Sequence, residues 1–419
     1  MGSDIYPLRP LVELVDIYDS MRVPVKKADR KPGPYPYYGA SGIADYVDSY
    51  IFDGEYLLLA EDGENLNTQN TPIAFRASGR FWVNNHAHIL QANESSNTRF
   101  LCYALQIADV NSYLSGSTRP KLTQGDMKRI PVFAPEKLMQ CAIAHVLGSL
   151  DDRIELNRQM NETLETMAQA LFKSWFVDFD PVIDNALASG KEIPAELSER
   201  AAVRAALGYK RQPLPAEIRT LFPDEFTFSD QFGWIPKGWE CRQWGEIAKL
   251  EYGKSLKGYR DGKGTIPVFG TNGAIGFTDK ALCNNDGIVI GRKGAYRGVH
   301  YSSVPFYVID TAFYLSPIMR LSKKWAYYEI LRFDINGMDS GSAIPSTSRD
   351  DFYSLWSTLP SPAVQDEFDN IVTTLYGNNA SNISSNTTLS SLRDILLPKL
   401  LSGEVRIPEA EKMVEELAL

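Results

Sequence analysis

The chain has 419 residues, 44% hydrophobic and 23% charged, the make-up of a soluble globular protein with room for two or three domains. No apolar run reaches bilayer-spanning length, and Met1-Gly2-Ser3-Asp4-Ile5 lacks the basic and apolar regions of a signal peptide, so a cytoplasmic location is expected. The formal net charge of −9 on its face argues against a nucleic-acid partner, because phosphate contacts normally supply much of the affinity.

That average conceals local structure. Lys26, Lys27, Arg30 and Lys31 cluster near the N-terminus, and Lys254, Lys257, Arg260, Lys263, Arg292, Lys293 and Arg297 crowd a second stretch. The acids concentrate elsewhere, at Asp151, Asp152 and Glu155, between Glu192 and Glu225, and from Glu404 to Glu416, so basic faces can persist on an acidic chain.

In chain order the dominant signal is internal duplication. Tyr35-Pro36-Tyr37-Tyr38-Gly39-Ala40-Ser41-Gly42 recurs as Ile266-Pro267-Val268-Phe269-Gly270-Thr271-Asn272-Gly273, an apolar strand running into a glycine turn. The register holds from Leu57-Leu58-Leu59 to Ile288-Val289-Ile290. After a short net deletion, Trp82-Val83 matches Tyr307-Val308 and Ala87 matches Ala312. From there the two halves align to Gln140 with Gln365, Asn157 with Asn382, Asn161 with Asn386, and Leu171 with Leu396.

Within each half, period-two, aromatic-rich segments give way to a long stretch of helical period. The predicted order is a strand-rich domain over 1–135, a helix over 136–177, a connector over 178–239, a second strand-rich domain over 240–360, a helix over 361–403 and an acidic tail over 404–419. In the first helix Met160, Leu164, Met167, Leu171 and Trp175 trace a heptad-like apolar seam, with Asn157 and Asn161 nearby. In the second, Ser385, Leu389, Leu392, Leu396 and Leu400 take the equivalent places, and Pro398 is expected to break or kink the helix end. Two seams in one chain bury each other if the helices pair antiparallel. The expected fold is therefore α+β, two strand-rich globular domains separated by two long antiparallel coiled-coil helices, with an internal pseudo-two-fold repeat.

Catalytic chemistry finds little support. His86-Ala87-His88 puts two imidazoles on one strand face, but no third ligand stands at a recognisable metal spacing. Gly291-Arg292-Lys293-Gly294 lacks the spacing of a phosphate loop, and no GxGxxG opens a helix after a strand. Asp178-Phe179-Asp180-Pro181 loosely resembles an amino-methyltransferase motif but lies in a linker after a helix. Cys102, Cys141, Cys241 and Cys283 are scattered singly, as reduced thiols would be. No catalytic residue, metal site or cofactor is expected in this chain.

What remains is a DNA reader's composition: basic residues interleaved with Tyr, Asn, Ser, Thr and Gly on loops of strand-rich domains. Arg and Lys can bond guanine edges, Asn adenine edges, and hydroxyls can hold phosphates. Candidates by position are Asn84, Asn85, Thr118, Arg119 and Lys121 in the first half, with Asn272, Arg292, Lys293, Tyr296, Arg297 and Ser342 in the second. A non-DNA interaction scaffold, two strand-rich domains on a coiled coil, is the alternative that the acidic net charge suits.

Three segments carry a resemblance to a family. They are Leu156-Asn157-Arg158-Gln159-Met160-Asn161-Glu162-Thr163-Leu164-Glu165 with its exit Gln169 to Phe179, the stretch Leu221-Phe222-Pro223 through Trp239, and Leu397-Pro398-Lys399-Leu400-Leu401-Ser402-Gly403-Glu404-Val405. Together they resemble the DNA specificity subunits of type I restriction-modification systems over essentially the whole chain. The resemblance implies two target-recognition domains, each reading one half of a bipartite double-stranded DNA site, with the helices as a ruler on the order of 60 Å long. It also implies two adenine-N6 methyltransferase subunits docked on the chain and restriction-translocase subunits joined through them. S-adenosylmethionine, ATP and magnesium then belong to those partners.

Overall fold

The computed structural model describes residues 6–116, 119–208, 214–338 and 345–416. The chain divides into two compact units, one formed by residues 1–159 with 381–419, the other by residues 160–380.

In the first unit Phe52–Ala60 is the heart of a six-stranded sheet, flanked by Ala87–Ala92 on one side and Ala74–Val83 on the other. Val15–Ile17 closes one edge, and the hairpin Tyr35–Gly39/Gly42–Val47 extends the other. All pairings are antiparallel except one, in which Tyr37 and Tyr38 run parallel to Trp82 and Val83. Alternation along the central strand decides what each face buries. Leu57 and Leu59 enter the main core with Phe100, Leu101, Leu147 and Leu150, while Leu58 joins Phe52, Phe81, Val83 and Ile89 on the other face. Each such leucine, removed from water on both sides of the sheet, contributes about 1.5–3 kcal/mol.

The second unit repeats this plan pair for pair. Leu58 opposes Ile89 in the first unit, and their counterparts Val289 and Tyr314 oppose each other in the second. Val268 and Phe269 run parallel to Tyr307 and Val308, and both hairpins carry a bulge at the same place, after Tyr37 and after Val268. The hairpin turns are tight in both, and Gly42 and Gly273 adopt φ of 116° and 100°, a conformation that disfavours any side chain. One difference divides the second sheet. The strand Ala74–Val83 is continuous, whereas its counterpart is interrupted between Val299–Ser302 and Tyr307–Val308, leaving a four-stranded and a three-stranded sheet.

The duplication extends to buried polar contacts. Gln140 receives the backbone N–H of Asn97 at 3.1 Å and donates to Pro135 O at 2.8 Å; Gln365 receives that of Ser322 at 2.9 Å and donates to Pro360 O at 2.9 Å. Asn97 and Ser322 in turn cap the helices Thr98–Ile107 and Lys323–Ile330. Each glutamine thus ties its sheet-side helix to the start of a long helix.

The long helices span Lys137–Phe172 and Pro362–Ser402. In the first unit Arg393 pairs with Asp151 at 2.9 Å and Asn157 with Asn386 at 2.8 Å, so six residues forward on one helix is seven back on the other, an antiparallel packing. The second unit has the same sense: Tyr328 links Glu165 and Tyr376 through its hydroxyl, and further along Phe172 meets Phe368.

The buried line of the first helix differs in phase from the predicted seam. Met160 and Met167 are exposed, Leu164 and Leu171 are half-buried and Trp175 is buried as expected, whereas the buried line runs through Ile143, Leu147, Leu150, Ile154, Ala168 and Phe172. The shift arises because two asparagines occupy the inward line where the apolar pattern would run, and Asn157 is satisfied there by Asn386. On the second helix Leu389, Leu392, Leu396 and Leu400 are buried and Ser385 is exposed. Pro398 does not end that helix, which continues to Ser402 and stops at Gly403, φ 79°.

Two segments carry more structure than the sequence suggests. Residues 404–416 hold a helix, Ile407–Glu416, whose Ala410 is buried in the first unit's core beside Ile407 and Val414. The stretch after the first long helix leaves through a π-turn at Lys173–Val177 and a left-handed Phe179, φ 53°, into the helix Asp180–Ser189. Val182, Phe222 and Trp239 from this connector are buried in the second unit's core. Asp180 is buried and accepts two hydrogen bonds from Arg200, each 2.7 Å, and one from Ser174 at 2.8 Å. Its carboxylate anchors the connector.

Candidate nucleic-acid interface

In the first unit, the loops at the end of strand Phe52–Ala60 and the start of strand Ala87–Ala92 meet Ser115 and residues 119–122. Glu61 and Asp62 follow the central strand directly. Asp62 is bridged to Lys121 through the backbone, Glu61 O accepts from Leu122 N at 2.8 Å, and Glu61 N donates to His86 O at 2.9 Å. Three loops are thereby pinned to one corner of the sheet.

Side chains finish the corner. Asp62 accepts from Arg119 Nη2 at 2.8 Å and meets His86 Nδ1 at 2.8 Å. Glu61 contacts Lys121 Nζ at 3.3 Å and Arg22, and Arg22 also donates to Ala87 O at 2.9 Å. Beneath lies a buried pair, His88 Nδ1 to Asp19 Oδ2 at 2.6 Å, with His88 Nε2 donating to Leu122 O at 2.9 Å. Burial pushes the Asp19 carboxyl up, but hydrogen bonds from His88, Ile89 N and Gln124 and the charge of His88 outweigh it, holding it below the ordinary carboxylate range. The two histidines of His86-Ala87-His88 therefore each engage a different carboxylate. A cleft of about 370 Å³ opens beside them, lined by the Gly39–Ala44 turn together with Asp62, His86 and Arg119.

The second unit builds the same corner from different residues. Lys293 is bridged to Ser346 as Asp62 is to Lys121, and these pairs occupy matching places in the repeat. Where the first half has Glu61 and Asp62, the second has Arg292 and Lys293. Arg292 donates to Asp310 O at 2.8 Å and lies 4.8 Å over the Tyr252 ring, on which Arg349 also stacks at 4.8 Å. Thr271 Oγ1 lies within hydrogen-bond distance of Lys293 O and Thr311 O, tying the hairpin turn to this loop.

The candidates predicted from sequence fall into four groups, with Arg292 half-buried at the second corner like Asn84 at the first. Arg119, Lys121, Lys293, Asn85, Asn272 and Tyr296 are exposed, with Arg119 and Lys121 at the first corner and Lys293 at the second. Asn84 is half-buried and its side chain accepts from His86 N at 2.8 Å, shaping the turn that delivers His86. Arg297 is buried instead of surface-exposed: its guanidinium donates to Gly294 O, Asn336 O and Ile335 O and holds the loop from within. Thr118 and Ser342 lie outside the described residues. Glu61 and Asp62 are not among the candidates, because acids in a DNA reader attract no notice until the cations covering them are seen; Arg22 is likewise absent, and His86 is considered there only as a metal ligand. Arg30 of the N-terminal basic run is likewise engaged internally, stacked 4.1 Å over Tyr37 and bonded to Asp45 at 3.0 Å.

Residues 7–166 and 236–388 match the family model described as the type I restriction modification DNA specificity domain. The chain belongs to this family. As in its two-part match, the specificity domain occurs once in each half. The chain is similar to the type I restriction enzyme HindI specificity subunit of Haemophilus influenzae, 25% identical over 399 residues, covering 84% of each chain. It is similar also to the MjaIX specificity subunit of Methanocaldococcus jannaschii, 24% identical, covering 90% of this chain and 88% of that one. A putative type I specificity subunit of Haemophilus influenzae reaches 39% identity over 149 residues, 36% of this chain and 38% of its own length. The fold matches a crystal structure of the type I S subunit from M. genitalium, with a TM-score of 0.58, 19% identity, and coverage of 96% and 97%. This specificity subunit therefore shares the α+β, two-domain, long-helix architecture. No helix among the described residues is long and apolar enough to cross a membrane.

Proposed function

We propose that this specificity subunit is the non-catalytic DNA-reading component of its restriction-modification complex, selecting a bipartite target. Each strand-rich half reads one part of the double-stranded site. Adenine-N6 methylation and restriction are carried out by partner subunits, two methyltransferases and the restriction-translocase subunits that join through them. S-adenosylmethionine, ATP and magnesium reside on those partners. The observation that carries this reading is the duplicated corner, which presents cations in both halves although they stand at different repeat positions, Arg119 and Lys121 on the loop of the first half and Arg292 and Lys293 at the strand end of the second. Arg119 and Lys121 at one corner, and Arg292 and Lys293 at the other, are suited to phosphates and guanine edges.

Mapping methylated adenines across the genome of cells carrying this chain with its methyltransferase partner tests the reading. A split motif with a fixed spacer is expected; modification without any motif counts against it. The net charge of −9 favours a scaffold that binds no DNA. Filter binding of the assembled complex over a salt series separates the two, since DNA retention falls steeply with salt when phosphates are neutralised. Absent or salt-independent retention would favour the scaffold.

A further inference from the structure

The two corners reach the same outward charge by opposite routes. In the second half the cations sit on the strand end itself, as Arg292 and Lys293. In the first half that strand end carries Glu61 and Asp62, which alone would repel phosphate. Both carboxylates are instead covered: the side chains of Asp62 and Glu61 are 16% and 13% exposed, against 67% for Arg119 and 53% for Lys121 above them. An exposed ion pair contributes little to stability, so fold stability alone gives little reason for a cation on a loop to be tied to an acid on the sheet.

We infer that Asp62 is a positioning residue that fixes the Arg119 guanidinium for a guanine in the half-site read by the first half. This rests on the DNA-reading role proposed above. A free arginine side chain samples many rotamers and orders them only on binding. Asp62 takes one guanidinium nitrogen, Nη2, at 2.8 Å, and the remaining N–H groups of Arg119 make no hydrogen bond among the described residues. The outer edge of the fork is left to meet guanine O6 and N7 as a bidentate pair. Asp62 is itself anchored, because His86 Nδ1 holds its other oxygen at 2.8 Å and the backbone of both residues is pinned to Glu61 and Lys121. The reading arginine is thus referenced to the sheet and not to the loop that bears it.

The test is methylated-adenine mapping with the partner methyltransferase present, for wild type, Arg119→Lys, Asp62→Asn, Asp62→Glu and Lys293→Gln. Arg119→Lys keeps the charge but loses the fork. It should relax one guanine position in one half-site by about tenfold or more, leaving the other half-site sharp. Asp62→Asn should relax the same position, and Asp62→Glu should restore part of the discrimination, which a merely structural role would not do. Lys293→Gln should alter only the opposite half-site. If Arg119→Lys leaves both half-sites unchanged, or weakens every position equally, the assignment is wrong. If Asp62→Asn folds and keeps that guanine as sharp as wild type, the positioning role is wrong; should it fail to fold, Asp62→Glu decides, since a folded Asp62→Glu chain with a wholly unchanged motif or with every position weakened equally overturns that role. A wild-type chain that directs no split motif overturns the DNA-reading role itself, an outcome distinct from either.

Discussion

Asn157 donates from Nδ2 to Asn386 Oδ1 at 2.8 Å, while Asn386 Nδ2 reaches Ile154 O at 3.3 Å, so an amide pair occupies the inward line between the two long helices. Under the repeat, Asn157 aligns with Asn382 and Asn161 with Asn386, so the bond joins the first asparagine of one half to the second of the other. Replacing Asn157 alone with Leu leaves the Asn386 amide half-satisfied and should destabilise the chain by about 1–3 kcal/mol. Replacing both should recover most of that loss, because matched apolar groups carry no unpaired donor. Thermal melts of the three variants check this. A double variant less stable than either single one would show that the amides do more than satisfy each other.

Gln140 and Gln365 allow a cleaner comparison, since they perform one task in two separate units. Each is buried, each receives a helix-cap N–H, and each donates to a proline carbonyl five residues before it. Alanine at either position should cost about 1–3 kcal/mol through the stranded backbone groups. Glutamate should not rescue, because it cannot donate to Pro135 or Pro360. The losses should add in the double variant, as the sites share no partner. Denaturant unfolding of the single and double variants measures both points.

These contacts indicate how far the sequence could be read. The repeat of the two halves is legible because duplicated strands keep their apolar alternation, and the ladders join residues at the offsets that the sequence alignment requires on either side of its short deletion. The inward line of the first helix was misread by its phase, because Asn157 and Asn161 look like surface residues until a second helix supplies an amide. Arg297 appeared as one more cation in a basic run, and nothing local marks it as the buried hub of its loop. The acidic corner residues Glu61 and Asp62 were passed over for the opposite reason: their meaning depends on Arg119 and Lys121, some 60 positions away in sequence. Long-range pairing of charge is what a one-dimensional pattern does not display.

Asp19 gives the first unit an acid-sensitive element. Its carboxyl lies below the ordinary value of 3.8, so on acidification the unfolded chain takes up this proton before the folded one. The stabilisation from Asp19 is therefore complete above about pH 5 and is lost as the pH falls through its folded value. Asp19→Asn removes an acceptor for His88, Ile89 N and Gln124, and should cost about 3 kcal/mol near neutrality. The Tm difference between wild type and Asp19→Asn should narrow steadily below pH 4. A gap that stays constant from pH 7 to pH 3 would mean that the folded chain does not hold the Asp19 carboxyl below its ordinary value.

Adjacent residues in the glycine-bounded loop of the second half should respond in opposite ways. Arg297 is 3% exposed and its guanidinium reaches Asn336 O at 2.6 Å, Gly294 O at 3.1 Å and Ile335 O at 3.3 Å, while Asn336 Oδ1 accepts its backbone N–H at 2.7 Å. Removing it strands the buried Ile335 carbonyl and breaks the bonds to Gly294 O and Asn336 O, and Arg297→Ala should lower stability by about 3 kcal/mol. Lysine should not substitute, since a single ammonium cannot span carbonyls on both segments. Tyr296, the preceding residue, is 81% exposed and held on the loop that Arg297 secures. Tyr296→Ala should change stability by less than about 0.5 kcal/mol. If the loop meets DNA, the same change should weaken binding of the assembled complex by about 1–3 kcal/mol through lost stacking. Melting curves and binding isotherms on the two variants separate the roles: a loss of stability confined to Arg297 and a loss of affinity confined to Tyr296 is the expected pattern. Arg297→Ala retaining full stability would return that residue to the DNA-facing surface, and Tyr296→Ala binding as wild type would take Tyr296 off it.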